Sequence, residues 1–364
     1  MKKLFGIVIL ILAAMTVHAG GGSEPQTANS SPQSATTAAQ LATALNAMNS
    51  GSARASGNTV TLTRNVGIQR NLTVPAGVTL ELTADGGLYL RDNVTLTVNG
   101  TVNAPSNKIG TDDEGGRTAP SVTINGNGTI NLTSKGQLLG IWGGDGVARK
   151  LTLDGVTLVG IADNDESLVI VSEGGELVLV SGAITGNTRT DDDWANGGGV
   201  NVWRGTFIME GGEISGNSAV GTRGSGGGGA SVGGGSVFTM SGGEISGNSA
   251  VNAGGVFIEG NGNTFIMKGG VIFGNTVTRY GGGVMIQGSG STFIMEGGRI
   301  QGGTDSDGFT KNTATLGYVS LAVNANYDTV KWGTGGTYTK GGVNQTGGGN
   351  IGDTSDTLIA IPAR

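Results

Sequence analysis

The chain has 364 residues, with 73 glycines, 6 prolines, no cysteine, one histidine and 21 basic against 27 acidic side chains, a net charge of −6. Glycine takes about a fifth of the chain against a usual ~7%, yet there is no collagen triplet, and the glycines alternate with apolar runs that a disordered chain lacks. An acidic chain without basic clusters excludes nucleic acid as the expected partner, and a chain without cysteine excludes a disulfide scaffold.

Residues 1–19 read as a signal peptide. Met1-Lys2-Lys3 is a short basic start, and Leu4 to Met15 is an apolar core, shorter than the ~20 residues that span a bilayer. Val17-His18-Ala19 is a small-residue cleavage site. Its removal leaves 19 basic against 27 acidic side chains, a net charge of −8, and no histidine. No lipid-accepting cysteine and no other apolar run of spanning length follows, so no transmembrane segment is expected after signal removal. Residues 20–36, rich in Gly, Ser, Thr and Ala, form a flexible linker. "TAAQLATALNAMNSG", residues 37–51, is the one amphipathic helix: Leu41, Leu45 and Met48 share a face. Thr37 with Gln40 makes a capping-box pattern, and Gly51 suits the stop.

Residues 52–346 read as short strands. "LTVPAGVTLEL" and "NVTLTVNGTV" alternate polar and apolar residues at period two, with Gly, Asn and Asp between the runs. Four copies of one unit follow: "TFIMEGGEISGN" at Thr206, "VFTMSGGEISGN" at Val237, "TFIMKGGVIFGN" at Thr264 and "TFIMEGGRIQGG" at Thr292, spaced by 31, 27 and 28 residues. A second element, "GGGVNVWRG" or "GGGVMIQG", lies between them. Propeller blades need ~40 residues per unit and helical repeats need a helix in each. Three short strands per unit leave a parallel β-helix, in which each strand pairs with its equivalent one coil away. The expected fold is all-β: a single right-handed parallel β-helix, about three short strands per coil, with an N-terminal capping helix over residues 37–51. Residues 347–364 are expected to close the far end.

Polar residues fix the outward parity. Glu210, Ser241, Lys268 and Glu296 face out, so Phe207, Met209, Phe238, Met240, Phe265, Met267, Phe293 and Met295 face in. Ile214, Ile245, Ile272 and Ile300 join them, as do Val200, Val202, Val256, Ile258, Val284 and Ile286. Asn187, Asn217, Asn248 and Asn275 close successive copies and are expected to stack as an amide ladder.

The "GGG-V-x-I" and "TFIM-x-GG-x-I-x-GN" coils, with "LTVPAGVTLEL", make Asn58 to Thr346 resemble the right-handed parallel β-helix proteins of the pectin lyase-like superfamily. Within it the chain looks most like bacterial surface proteins with Gly-Gly-x-Ile repeats, the polymorphic outer-membrane proteins, although regular Phe-x-x-Asn motifs and a membrane barrel are lacking. The resemblance implies either a non-catalytic surface protein or a carbohydrate-active enzyme. The Gly-His-Gly motif of the related hydrolases has no counterpart. Asp191, Asp192, Asp193 and Trp194 are the candidate carbohydrate or Ca²⁺ contact, since clustered carboxylates can hold Ca²⁺ and an indole can stack on a sugar. No other cofactor is expected. Ile208, Ile266 and Ile294, with Phe257 and Met285 on the neighbouring strand, form an outward apolar stripe, open to a partner or covered by the glycine stretch at Gly221–Gly235. The function expected is adhesion or recognition by an exported, non-catalytic protein, secreted, at the cell surface, outer-membrane associated or periplasmic, with an extracellular protein or polysaccharide as ligand. A polysaccharide lyase is the alternative.

Overall fold

The computed structural model describes residues 35–111, 121–144, 149–191, 195–221, 225–288, 290–302 and 311–315, with strands Leu321–Val323, Thr329–Trp332, Thr337–Lys340, Val343–Thr346 and Leu358–Ile361 beyond. The expected signal peptide and most of the linker lie outside them.

Helix α1 runs Ala38–Met48, stopping three residues short of Gly51. Thr37 caps it by accepting the Gln40 N–H at 3.3 Å. Gln40 returns its side chain to Thr36 rather than to the cap itself, accepting the Thr36 backbone N–H and hydroxyl, each at 2.8 Å. Asn49 takes the C-cap. Ala38, Leu41, Ala42 and Leu45 are buried in one cluster with Val60, Leu62, Val66 and Ile68 of the first strands. The helix therefore covers the mouth of the hydrophobic bore.

From there the chain is a parallel β-solenoid, consistent with a right-handed β-helix. Its first sheet has fourteen strands, and the second and third have ten each. The repeats stack in register: Thr206, Val237, Thr264 and Thr292 pair along the second sheet. The side-chain parity expected from the repeats is the one observed. Phe207, Phe238, Phe265 and Phe293 are fully buried in the bore. Their rings stack, with centroids 4.6, 4.6 and 4.9 Å apart, matching the ~4.8 Å strand spacing. The four methionines and the expected Ile and Val columns fill the rest. At the Gly-Gly corner, Gly243 has φ +79°, and a side chain there would press on the Gly212 carbonyl oxygen at 2.5 Å. Only glycine meets both constraints.

The asparagines form the expected ladder, and it extends at both ends. Asn164 donates to Asn187 at 2.9 Å, and Asn275 donates to Asn312 at 3.0 Å. Within it every amide group is used. Asn248 Oδ1 accepts from Asn217 N and Nδ2 at 2.9 and 3.2 Å, and Asn248 Nδ2 donates to Ile214 O and Asn275 Oδ1 at 2.9 and 3.0 Å.

The reading of three strands per coil needs extension. Five later coils carry a fourth: Thr188–Asp191, Ser218–Gly221, Ser249–Ala250, Thr276–Val277 and Thr313–Ala314 form a separate parallel sheet. Its inward column, Ala219, Ala250 and Val277, packs with Ala195 in a small second core. These strands are short and small-residue, so period-two alternation had too few residues to register.

At the far end the first sheet is closed by antiparallel strands. Leu358–Ile361 pairs with Gly298–Ile300, and Thr337–Lys340 pairs with Leu358–Ile361.

Candidate ligand face

The outward side of the third sheet brings exposed aromatic and partly buried ionisable groups together. Alternation puts every second residue outward, and the ladder register aligns one such residue per coil. Trp142, Ser172, Trp203, Gly233, Glu259 and Gln287 thus form a single column along the solenoid.

Both indoles in it are 42% exposed. Each rests on glycine. A side chain at Gly140 would overlap the Trp142 ring. A methyl at Gly233 would lie 2.8 Å from Trp203 Cε3 and Cζ3, and one at Gly234 would lie 3.0 Å from Cδ2 and Cε2. All four atoms belong to the six-membered ring of the indole, so that ring of Trp203 packs against the Gly233–Gly234 backbone while the residue stays half-exposed.

Beside this column a second segment crosses the sheet. Asn196, Gly226 and Asn252 bridge one another coil to coil. Gly226 sits directly on the Phe257 ring, where a side chain would clash, and Phe257 is only 3% exposed. Of the two alternatives for the outward stripe, Phe257 takes the second: it faces out of the bore and is covered at Gly226 of the glycine stretch. Met285, Ile208, Ile266 and Ile294 face outward and are half-buried. Ser231, outward by parity, is fully buried, and its hydroxyl, like that of Ser225, has no hydrogen-bond partner among the described residues.

Glu259 lies at the edge of this cover. Both its oxygens accept from Asn196 Nδ2, at 2.8 and 2.7 Å. Burial pushes its pKa up, and the Asn196 hydrogen bond and the charge of Arg189 only partly oppose this. Arg189 heads the column that continues as Ala219 and Ala250. Its guanidinium donates to Ser167 Oγ at 3.2 Å and to Asn196 O at 2.7 Å and lies 3.9 Å from Glu166. Arg204, next to Trp203, pairs with Glu173 at 3.2 Å.

Of the acidic cluster expected as a contact, Asp191 ends the strand Thr188–Asp191, while Asp192, Asp193 and Trp194 lie outside the described residues. The described chain resumes at Ala195 and Asn196. Among the described residues no group of three His, Cys, Asp or Glu side chains is placed to hold a metal ion, and no helix is long and apolar enough to cross a membrane.

Trp142, Trp203, Asn196 and Glu259 were not singled out by the sequence reading. The signal was present for three of them: once Val200, Val202 and Ile258 are inward, Trp203 and Glu259 are outward, and the same parity applied to Ile141 exposes Trp142. Asn196 reaches Glu259 across two coils, which no local pattern encodes. No family model, curated protein or solved structure matches the chain.

Proposed function

We propose that the chain is an exported, non-catalytic β-helix protein of pectin lyase-like type, secreted or held at a bacterial surface, that acts in adhesion or recognition. The supporting observation is the outward column of the third sheet, where two half-exposed indoles pack on glycine backbone. Aromatic rings packed on one face and open to solvent on the other are common at contact surfaces. Its ligand is an extracellular polysaccharide or protein. Ca²⁺ bound through Asp191–Asp193 belongs to this reading as an accessory.

A polysaccharide lyase is the second reading, favoured by the meeting of Arg189, Asn196 and Glu259 beside Trp203. Incubating the mature protein with acidic polysaccharides, with and without Ca²⁺, separates the two. Retention on a ligand-coated surface without unsaturated product is the expected result. Product formation that is lost in Asp192→Ala or Glu259→Gln would replace recognition by catalysis.

A further inference from the structure

The fourth sheet has an outward face of its own. Its ladder puts Thr188, Ser218, Ser249, Thr276 and Thr313 in one outward column. Two residues on, alternation puts Thr190, Val220, Val251, Thr278 and Thr315 in a second. Backbone bonds from Thr278 N to Ala250 O and from Thr315 N to Val277 O, each 3.3 Å, carry the ladder into that column. All of these side chains are half-buried or exposed; none is charged and none is larger than valine. The hydroxyls are linked along the axis: Ser249 donates to Ser218 at 2.9 Å and Thr313 to Thr276 at 3.1 Å. Beneath them, Ala219, Ala250 and Val277 pack with Ala195. The array ends where the preceding coil, bridged through Asn164 and Arg189, brings Asp163 and Asp165. There Thr190 donates to Asp163 at 2.9 Å, and Lys135 pairs with Asp163 at 2.9 Å.

We propose that this face binds ice, the crystalline lattice of water, rather than a dissolved ligand. Its side chains recur at ~4.8 Å along the solenoid and ~7 Å along the strand. The prism face of hexagonal ice repeats its oxygen rows on the same two scales. Threonine and valine are stiff at χ1, so their methyl and hydroxyl groups stand in a fixed two-dimensional array. The hydroxyls offer hydrogen bonds to lattice waters, and the methyls between them restrict the orientation of waters that they cannot bond. A charge inside the array would turn water toward itself and break the lattice, and the two columns hold none. The inference goes beyond the recognition reading, which concerns the third sheet, and neither depends on the other.

Other occupants fit less well. Five strands give the face a length of ~19 Å, and with a width of ~7 Å plus side-chain radii it offers on the order of 250 Å². A stable protein interface needs ~800 Å² per partner, which counts against a second copy of the chain and against a protein ligand. A crystal needs no preformed partner of that size, because it grows onto the array water by water. A charged polymer finds no opposite charge in either column. A peptide strand has no place in the middle of the sheet, where each strand is already paired on both sides.

The experiment grows ice slowly from a dilute solution of the mature full chain and measures the fraction of protein taken into the ice, together with the grain size of annealed ice. The chain is expected to enter the ice and to keep the grains small, whereas serum albumin at equal mass is excluded and lets them coarsen. Ser249→Lys and Thr276→Lys each put a long charged side chain into the first column and should fall to the albumin level. Thr264→Lys, outward on the second sheet, should keep the wild-type level. Val220→Thr adds a hydroxyl to the second column and should equal or exceed the wild type. All four positions face away from the bore, so unchanged circular dichroism and melting temperature verify that the variants fold. Exclusion of the unaltered chain from ice, full incorporation of both Ser249→Lys and Thr276→Lys, or an equal loss in Thr264→Lys would each overturn the inference. A dimer in light scattering that Thr276→Lys dissolves would overturn it too, because a second copy would then cover the face.

Discussion

The ladder asparagines are buried because each is fully satisfied. A buried amide left unpaired costs ~1–3 kcal/mol per group, and Asn248 answers four groups at once. Asn248→Ala should therefore lower unfolding free energy by several of these increments, and by more than Asn164→Ala at the ladder's end; equal effects in denaturant titration would show that the ladder is not cooperative. The stacked rings give a second residue-scale outcome. Phe238 has an aromatic neighbour on both sides, and Phe238→Ala should cost ~3–5 kcal/mol, with Phe238→Leu costing clearly less. Glu259 behaves differently. Its pKa is raised by burial, so the folded chain holds the proton more tightly than the unfolded chain. Its favourable contribution is complete below the ordinary carboxylate pKa and is lost as pH rises through the raised value. Glu259→Gln should thus raise the melting temperature at neutral pH and give little gain below the carboxylate range. A gain independent of pH would remove burial of charge as its cause. The inward residues were legible because the repeats align them against fixed polar positions. Whether Phe257 is open or covered could not be read from the sequence, because parity says which way a side chain leaves the strand and nothing about what lies over it.

Elements in this chain are defined by their neighbours one coil away. Helix α1 is the exception, readable from Thr37, Gln40 and the Leu41–Leu45 spacing because helical capping and amphipathicity are local. Its role is to cover apolar ends of the first strands. Thr37→Ala removes one cap bond and should cost ~0.5–2 kcal/mol. Leu41→Asp puts a charge against Val60 and Leu62 and should detach the helix, seen as faster hydrogen exchange in Thr59–Leu62 while the Phe238 coil stays protected. Uniform acceleration in both would show that the helix and the distant coils unfold as one. The fourth strand escaped the sequence reading for a physical reason. Ser218–Gly221 and its equivalents are two to four residues long and gain their stability from Ala219, Ala250 and Val277 packing under Ala195, a contact set by the fold rather than by any single run.

At the scale of the whole molecule, a solenoid has no long-range core to average over defects, and each coil is held by the two beside it. Its ends are its exposed strand edges. The first sheet is closed by antiparallel strands reaching from Thr337 to Ile361. Ending the chain at residue 315 should expose the Gly298–Ile300 edge and produce end-to-end association, measurable as concentration-dependent mass by light scattering; a monodisperse truncated chain would show that this closure is dispensable. Architecture was legible because a repeat states its own pairing. The ligand face was less so: Trp142, Trp203 and Glu259 occupy three coils with different local sequences, and they become one line only when the register places them together.

The asparagine ladder has a direction. The side-chain amides of Asn164, Asn217, Asn248 and Asn275 each donate to the asparagine of the following coil, Asn187 makes that link through its backbone N–H to Asn217 Oδ1, and the last amide ends on the Gln301 carbonyl at 2.7 Å. At the other end, Asn164 Oδ1 takes the Gly136 N–H at 2.7 Å. Both termini are tied off, and from Asn187 to Asn275 every rung donates its backbone N–H to the Oδ1 of the next asparagine. Length is consequently a modular variable. Excising residues 206–236, one whole unit, rejoins Asn187 to Asn248 with polarity intact and brings Trp203 one step nearer Glu259. Gene duplication of a coil would do the reverse, lengthening the protein's reach in increments of a single rung without inventing a new contact.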